Sequence, residues 1–269
     1  MIETTLAPSE LDALAAALRA ARERRSPIRP ITEAAPGLTV ADAYAIASRN
    51  VARALEAGAT PTGHKIGLTS KAVQDQLGVS SPDFGALLDT MQIAVGATIN
   101  RSDYIAPRIE LELAFVLAEA LTGPGVSADD VRGATAYVSP SLELVDSRIV
   151  DWKITLPDTV ADAASSAGYV VGAAQPTLDQ LDIANLAAEL HRNGELVESG
   201  NSSAVLGDPC TAVAWLANAL AERGEALSAG EVILSGACTR MVPINPGEYF
   251  RGEIEGLGTV ELSVAGEPA

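Results

Sequence analysis

The chain has 269 residues, 48% hydrophobic and 20% charged, with a formal net charge of -17. That composition suits a soluble globular protein with one large domain or two modest ones, and it argues against nucleic acid as a ligand, because phosphate binding relies on Lys and Arg. Two cysteines (Cys210, Cys238) are too few for a disulfide framework and two histidines (His64, His191) too sparse for a histidine-rich zinc site; no apolar stretch approaches the roughly 20 residues of a membrane span and Met1 to Arg25 lacks a secretory pattern, so the cytoplasm is the expected location.

The first third reads as helical. Ser9 to Asp12 and Thr39 to Asp42 have capping-box spacing ahead of alanine-rich runs, with Leu11, Leu14 and Leu18 on one apolar stripe and Val40, Tyr44, Val51 and Leu55 on another. Ser26 to Pro36 is a proline-bearing connector. The segment Gly63-His64-Lys65-Ile66-Gly67-Leu68-Thr69-Ser70 reads as a glycine turn before a short helix over Ser70 to Leu77 that stops at Gly78. Lys65 there is a proton donor, a proton acceptor, a carboxylate anchor or simply a surface lysine. Next comes Ser80-Ser81-Pro82-Asp83-Phe84-Gly85, in which Asp83 sits in a turn-forming context.

From Ile109 the period shifts toward two, with strands expected at 109–117, 136–146, 168–172, 185–191, 195–199, 231–235 and 249–263. Glu110 and Glu112 lie two apart on the first of these, so they project from one face, and Glu143 interrupts the second. Such carboxylates repel and desolvate badly without a cation between them, and a third oxygen donor completes the demand for a hard divalent metal. On the solvent face of an edge strand the same spacing would need no metal; Ala114 and Val116, continuing on that face, favour burial. The stretch Asp158-Thr159-Val160-Ala161-Asp162-Ala163-Ala164-Ser165-Ser166 reads as a loop whose hydroxyls either bond a carboxylate or satisfy backbone at a strand entrance. Asn193-Gly194 marks a tight hairpin, and Asp208, Pro209, Val213, Leu216, Leu220 and Gly224 mark a capped helix. A glycine turn with hydroxyls, Leu234-Ser235-Gly236-Ala237-Cys238-Thr239-Arg240, follows a buried strand. The class is α+β: a helical portion over 1–80 packed on a mixed β body over 81–269 that carries the carboxylates.

Taken together, Gly-His-Lys-Ile-Gly-Leu-Thr-Ser, Gln-Leu-Gly-Val-x-x-Pro-Asp-Phe-Gly, Pro-Arg-Ile-Glu-x-Glu, Glu-Leu-Val-Asp-Ser-Arg-Ile-x-Asp-Trp-Lys, Asp-Thr-Val-Ala-Asp and Leu-Ser-Gly-Ala resemble the 2-hydroxypentadienoate hydratases over about residues 40 to 263. These belong to the fumarylacetoacetate hydrolase superfamily, in the branch that also holds the 4-oxalocrotonate decarboxylases. The resemblance implies a mixed β-roll with a helical N-terminal portion, and Mg2+ or Mn2+ bound by Glu110, Glu112 and Glu143. It also implies proton handling and water positioning by Lys65 and Asp83, with Lys65, Ser165, Ser166 and Thr239 holding a small anionic 2-oxo or 2-hydroxy dienoate that chelates the metal. The implied reaction is hydration to a 4-hydroxy-2-oxo acid in meta-cleavage catabolism of aromatic compounds. Asp83 favours hydratase over decarboxylase, which tends to carry an apolar residue there. Where the branch usually reads Val-Ala-Asp-Asn-Ala-Ser, this chain has Ala163, which removes an amide donor and acceptor. Competing expectations are 4-oxalocrotonate decarboxylation, carbon–carbon hydrolysis of an acylpyruvate through a histidine dyad, and a non-catalytic partner subunit. The resemblance further implies a pentameric or decameric homo-oligomer and association with a pathway decarboxylase or aldolase.

Overall fold

The structure is a computed structural model that describes residues 4–71, 74–75, 78–176, 178 and 181–267. Helix α1 (Pro8–Arg24) buries Leu11, Ala15, Leu18 and Ala21, one residue per turn on a single face. Its start differs from the expected Ser9 cap: Ala7 is the N-cap, because Pro8 has no N–H to satisfy and fits the first helical position, and the Glu10 carboxylate accepts from Ala7 N at 2.9 Å. After α2 (Ile31–Ala34), helix α3 (Val40–Glu56) is capped as expected, with Thr39 accepting from Asp42 N. Its buried face is Asp42, Ala43 and Ile46 rather than the expected stripe, of which Val40 and Leu55 are exposed. Asp42 is buried because it also accepts from Thr5 N at 2.7 Å and Leu6 N at 3.1 Å, anchoring the start of the chain on α3. The helices share one apolar cluster with Ile149, Val160 and Ala161.

Among the described residues the body comprises two sheets. The larger runs in the order β2 (Asp83–Leu88), β1 (Pro61–Gly67), β10 (Val232–Ala237), β4 (Arg108–Leu117), β5 (Thr135–Val145) and β6 (Ser166–Val171), with β7 (Gln175–Pro176) on β5 and β11 (Val242–Pro243) on β4. The smaller runs β3 (Thr98–Ile99), β13 (Gly258–Val264), β12 (Tyr249–Ile254), β8 (Ala187–Arg192), β9 (Glu195–Asn201). Ile109, Leu111, Leu113, Phe115, Leu142, Leu144 and Val170 of the first sheet pack in one core with Ala188, Leu190, Phe250, Val260 and Leu262 of the second. The expected capped helix forms α6 (Pro209–Ala221), after a helix α4 (Ala128–Ala134) and a helix α5 (Leu156–Ala161) that the sequence reading did not place. Against the expectation that no stretch approaches a membrane span, residues 202–221 are long and apolar enough for one by length and composition alone, but Val213, Leu216 and Leu220 of this stretch are buried in this core.

Four local expectations change. Residues 61–67 form a strand rather than a glycine turn, because Gly63 lets β1 approach β10 so closely that a Cβ would lie 1.8 Å from Val232 O. Asp83 opens strand β2 instead of sitting in a turn. The stretch 158–166 begins inside α5, and the strand expected over 249–263 is broken at Glu255, Gly256 and Leu257, with Gly256 at φ 73°. The helix expected over Ser70 to Leu77 falls partly on residues 72–73 and 76–77, outside the described residues.

Candidate metal centre and active site

Strand register brings the site together. Glu110 is paired with Glu143 and Glu143 with Tyr169, while Glu112 is paired with Ser141, so all three glutamates lie on one face of the larger sheet. The same face carries Lys65, opposite Gly85 and Leu234, and Asp83, opposite Gly67. The opposite face holds the apolar core, which explains why acids alternate with Ile109, Leu111 and Leu113 along β4. Oxygens of Glu110, Glu112 and Glu143 lie within 4.8 Å of one another; Glu112 and Glu143 are buried and Glu110 half-buried.

Strand β10 bulges between Leu234 and Ala237, and Gly236, at φ 112°, turns its N–H onto Glu112 Oε2 at 2.9 Å. A Cβ at Gly236 would lie 2.2 Å from Thr69 Oγ1, so only glycine fits both the bulge and its neighbour. Lys65 Nζ stands 3.2 Å from Glu143 Oε2 and donates to Ala164 O at 2.9 Å. A Cβ at Gly67 would fall 2.2 Å from Asp83 Oδ1 and 3.4 Å from Lys65 Nζ; these two groups therefore converge over a bare backbone. Asp83 Oδ2 accepts from Thr159 Oγ1 at 3.3 Å, and Asp83 Oδ1 has no hydrogen-bond partner among the described residues.

Burial is the largest influence on every acid here. It raises Asp83 despite Lys65, and it raises Glu112 and Glu143; Glu110 is pushed up to about 7 by burial and then by Glu143. Burial alone would lower Lys65, but Glu143, Asp83, Glu110 and Glu112 outweigh it and push the ammonium up. One buried lysine cannot balance four acids. Glu143 Oε1 has no hydrogen-bond partner among the described residues and Oε2 has the Lys65 ammonium at 3.2 Å, an arrangement that leaves a buried carboxylate poorly compensated unless a metal cation also takes it. An all-oxygen donor set of three carboxylates fits a hard divalent ion.

A stability consequence follows. A carboxyl raised in the fold contributes stability below its unfolded value, near 4.3, and loses that contribution as pH rises through its folded value. For Glu110 that window runs from there to about 7. The metal-free protein should therefore lose Tm between roughly pH 4.3 and 7, and added Mg2+ should raise Tm more at about pH 7 than at about pH 4.5. Thermal melts with and without Mg2+ check this; an equal Mg2+ shift at both pH values would contradict it.

The loop entering β6 supplies the hydroxyls. Ala163, Ala164 and Ser165 have φ of 53°, 52° and 56°, three consecutive left-handed residues that cost roughly 1–2 kcal/mol each without glycine. Ser165 and Ser166 are buried, and their hydroxyls have no hydrogen-bond partner within bonding geometry among the described residues. Thr239, two residues beyond the partner of Glu112, is likewise buried, and its hydroxyl has no partner among the described residues. Ser235, not singled out as a site residue from sequence, is fully buried with an unpartnered Oγ beside the Gly236 bulge; the available signal was a hydroxyl ending an apolar strand. Asparagine tolerates the left-handed region far better than alanine. Ala163→Asn should relieve that strain and, by restoring an amide, raise kcat/KM by a factor worth about 0.5–1.5 kcal/mol. Steady-state rates beside Tm check it; a stabilised variant with unchanged kcat/KM on short and long substrates would place the side chain outside the site.

The histidines stand apart. His64 alternates with Lys65 on β1, so it points to the other face, where its Nδ1 lies 3.1 Å from Glu231 Oε2. His191 is on β8 in the smaller sheet, with Nε2 3.6 Å from Glu189.

Residues 49–265 match the family model described as fumarylacetoacetate (FAA) hydrolase C-terminal. The chain is 47% identical to a 2-hydroxyhexa-2,4-dienoate hydratase of Comamonas testosteroni over 249 residues, covering 91% of this chain and 92% of that one. It is 43% identical to a 2-keto-4-pentenoate hydratase of Paraburkholderia xenovorans, with 95% of each covered. Among solved structures, a 4-oxalocrotonate decarboxylase from Pseudomonas putida G7, complexed with magnesium and adipate, superposes with a TM-score of 0.93 at 38% identity, covering 97% of this chain and 100% of that one.

Proposed function

The chain belongs to the fumarylacetoacetate hydrolase family, and from that premise we propose that it is a divalent-metal-dependent hydro-lyase that adds water to 2-hydroxypenta-2,4-dienoate or a longer homologue, forming a 4-hydroxy-2-oxo acid. The observation that carries the site assignment is the convergence of three glutamates, two of them buried and one half-buried, with Lys65 and Asp83 on one sheet face. Glu110, Glu112 and Glu143 would hold Mg2+ or Mn2+, the first being the ion in the complex of the Pseudomonas putida G7 decarboxylase. When bound, such an ion polarises the 2-oxo group and draws electrons from the conjugated double bond, making C4 electrophilic.

The chain's own residues do the rest. Lys65, kept charged by its acidic neighbours, anchors the anionic end of the substrate and supplies a proton. Once the dienol has given up its 2-hydroxyl proton and taken one at C5 to become the conjugated 2-oxo-3-enoate, Asp83, raised by burial, takes the proton from water as the water oxygen bonds to C4, and a proton is delivered to C3, so the elements of one water are added across the C3–C4 double bond. Ser165, Ser166 and Thr239 offer hydroxyls to the carboxylate. The site excludes bulk water around these groups, which strengthens each contact.

The decarboxylase neighbour shares this architecture, and an acid at position 83 favours water addition over carbon dioxide loss. Hydrolysis through a histidine dyad is disfavoured, since the His64–Glu231 pair occupies the other face of the sheet. The test is NMR identification of the product after purified protein, Mg2+ and 2-hydroxypenta-2,4-dienoate are combined: 4-hydroxy-2-oxopentanoate supports the reading, and unchanged substrate refutes it and leaves the partner-subunit alternative. A cytoplasmic location, a ring of five or ten chains and association with a pathway decarboxylase or aldolase belong to the same reading; sedimentation of the protein alone and with such a partner tests the assembly.

A further inference from the structure

The left-handed loop at 163–165 persists against its own backbone preference, which requires surroundings that over-determine it. Arg148 supplies them. Its backbone N donates to Asp162 Oδ2 at 3.0 Å, its Nε to Asp162 Oδ1 and its Nη2 to Asp162 O, while Nη1 reaches Ser166 O at 3.1 Å and also Asp146 O. One buried guanidinium therefore ties the residue before the left-handed run to the residue after it. Asp146 is fixed in turn by Ile105 N at 2.9 Å and Ala106 N at 2.6 Å. What this frame presents is chemical: Ala164 O accepts from Lys65 Nζ, and Ser165 and Ser166 offer their free hydroxyls. Gly85 lets the loop close against β2, since a Cβ there would lie 2.5 Å from Ala163 O.

We infer that Arg148, locked to Asp162, is a positioning residue for the reaction: it touches neither substrate nor metal, and it sets where the Ala164 carbonyl holds Lys65 and where the two serine hydroxyls point. A lysine would keep the charge but not the planar fork that spans both ends of the loop. The turnover arm of the test rests on the hydratase reading. In Arg148→Lys, kcat should fall about 10- to 100-fold, the cost of a small misplacement at a reacting centre. Affinity for the saturated analogue 2-oxopentanoate with Mg2+ present should drop about 5-fold, the worth of one hydrogen bond. Mn2+ affinity, read by electron paramagnetic resonance, should stay at the wild-type value, because no metal-ligand candidate is touched. Adding Ala164→Gly, which relieves left-handed strain, should recover Tm without recovering kcat.

Recovery of kcat together with Tm would make Arg148 merely structural and overturn the inference, as would parallel loss of Mn2+ affinity or wild-type kcat in Arg148→Lys. If Arg148→Lys does not fold, Asp162→Asn is measured in the same way, and wild-type kcat and analogue affinity there overturn it. If the wild-type chain does not hydrate the dienoate, the hydratase reading fails, and analogue affinity set against Mn2+ affinity still judges Arg148.

Discussion

Asp83→Asn is expected to cut the hydration kcat by roughly 10²- to 10⁴-fold, the usual share of general acid–base catalysis, with the fold and metal affinity intact. The carboxyl is buried, its Oδ2 accepts from Thr159 Oγ1, and its Oδ1 has no partner among the described residues. An amide of the same shape keeps the Thr159 contact through its oxygen and occupies the same space over Gly67, so packing changes little. What it cannot do is take up or release a proton near neutral pH. Loss of dienoate absorbance measures the effect, with KM separating binding from chemistry. A wild-type rate in Asp83→Asn would remove the residue from the mechanism.

Glu112→Gln should produce two effects of opposite sign. In the metal-free protein it removes one buried acid from three mutually repelling carboxylates, so Tm should rise. The Gly236 N–H still finds an oxygen acceptor, so the β10 bulge is retained. In the metal-loaded protein it removes a charged donor, and Mn2+ affinity should fall by at least about 10- to 100-fold, the loss found even for groups that only support a ligand. Turnover should vanish on chelation of the wild-type protein and return with Mg2+ or Mn2+. Calorimetry of Mn2+ binding beside apo and holo melts reads both signs, and unchanged Mn2+ affinity would separate Glu112 from the metal.

The part of the site legible in sequence was the part written as a violation of pattern. Glu110, Glu112 and Glu143 stand among aliphatic residues at strand spacing, and a charge in a buried strand has few explanations. Strand register then brings them together as the spacing implies. The family motifs single out Lys65 and Asp83, but the glycines at 63, 67 and 85 look like turn residues and hide their strands; they sit in β1 and β2 to admit Val232 O, Asp83 Oδ1 and Ala163 O. Periodicity cannot separate a glycine that bends the chain from one that makes room for a neighbour. The left-handed loop at 163–165 was hidden because alanine and serine carry no signal for positive φ. Arg148 and Asp162 form it through contacts 14 residues apart, which no local rule reveals. The stripe on α3 failed for a related reason: Asp42 is drawn inward by Thr5 and Leu6, rotating Val40 and Leu55 toward solvent.

The most direct test sets the two chemistries of this branch against each other. The purified chain with Mg2+ receives 2-hydroxypenta-2,4-dienoate in one reaction and 2-oxohex-3-enedioate in another, and NMR follows product while carbon dioxide release is recorded. Rapid formation of 4-hydroxy-2-oxopentanoate from the first, with carbon dioxide from the second slower or absent, is the expected result. Carbon dioxide release faster than hydration would contradict it and make the protein a decarboxylase.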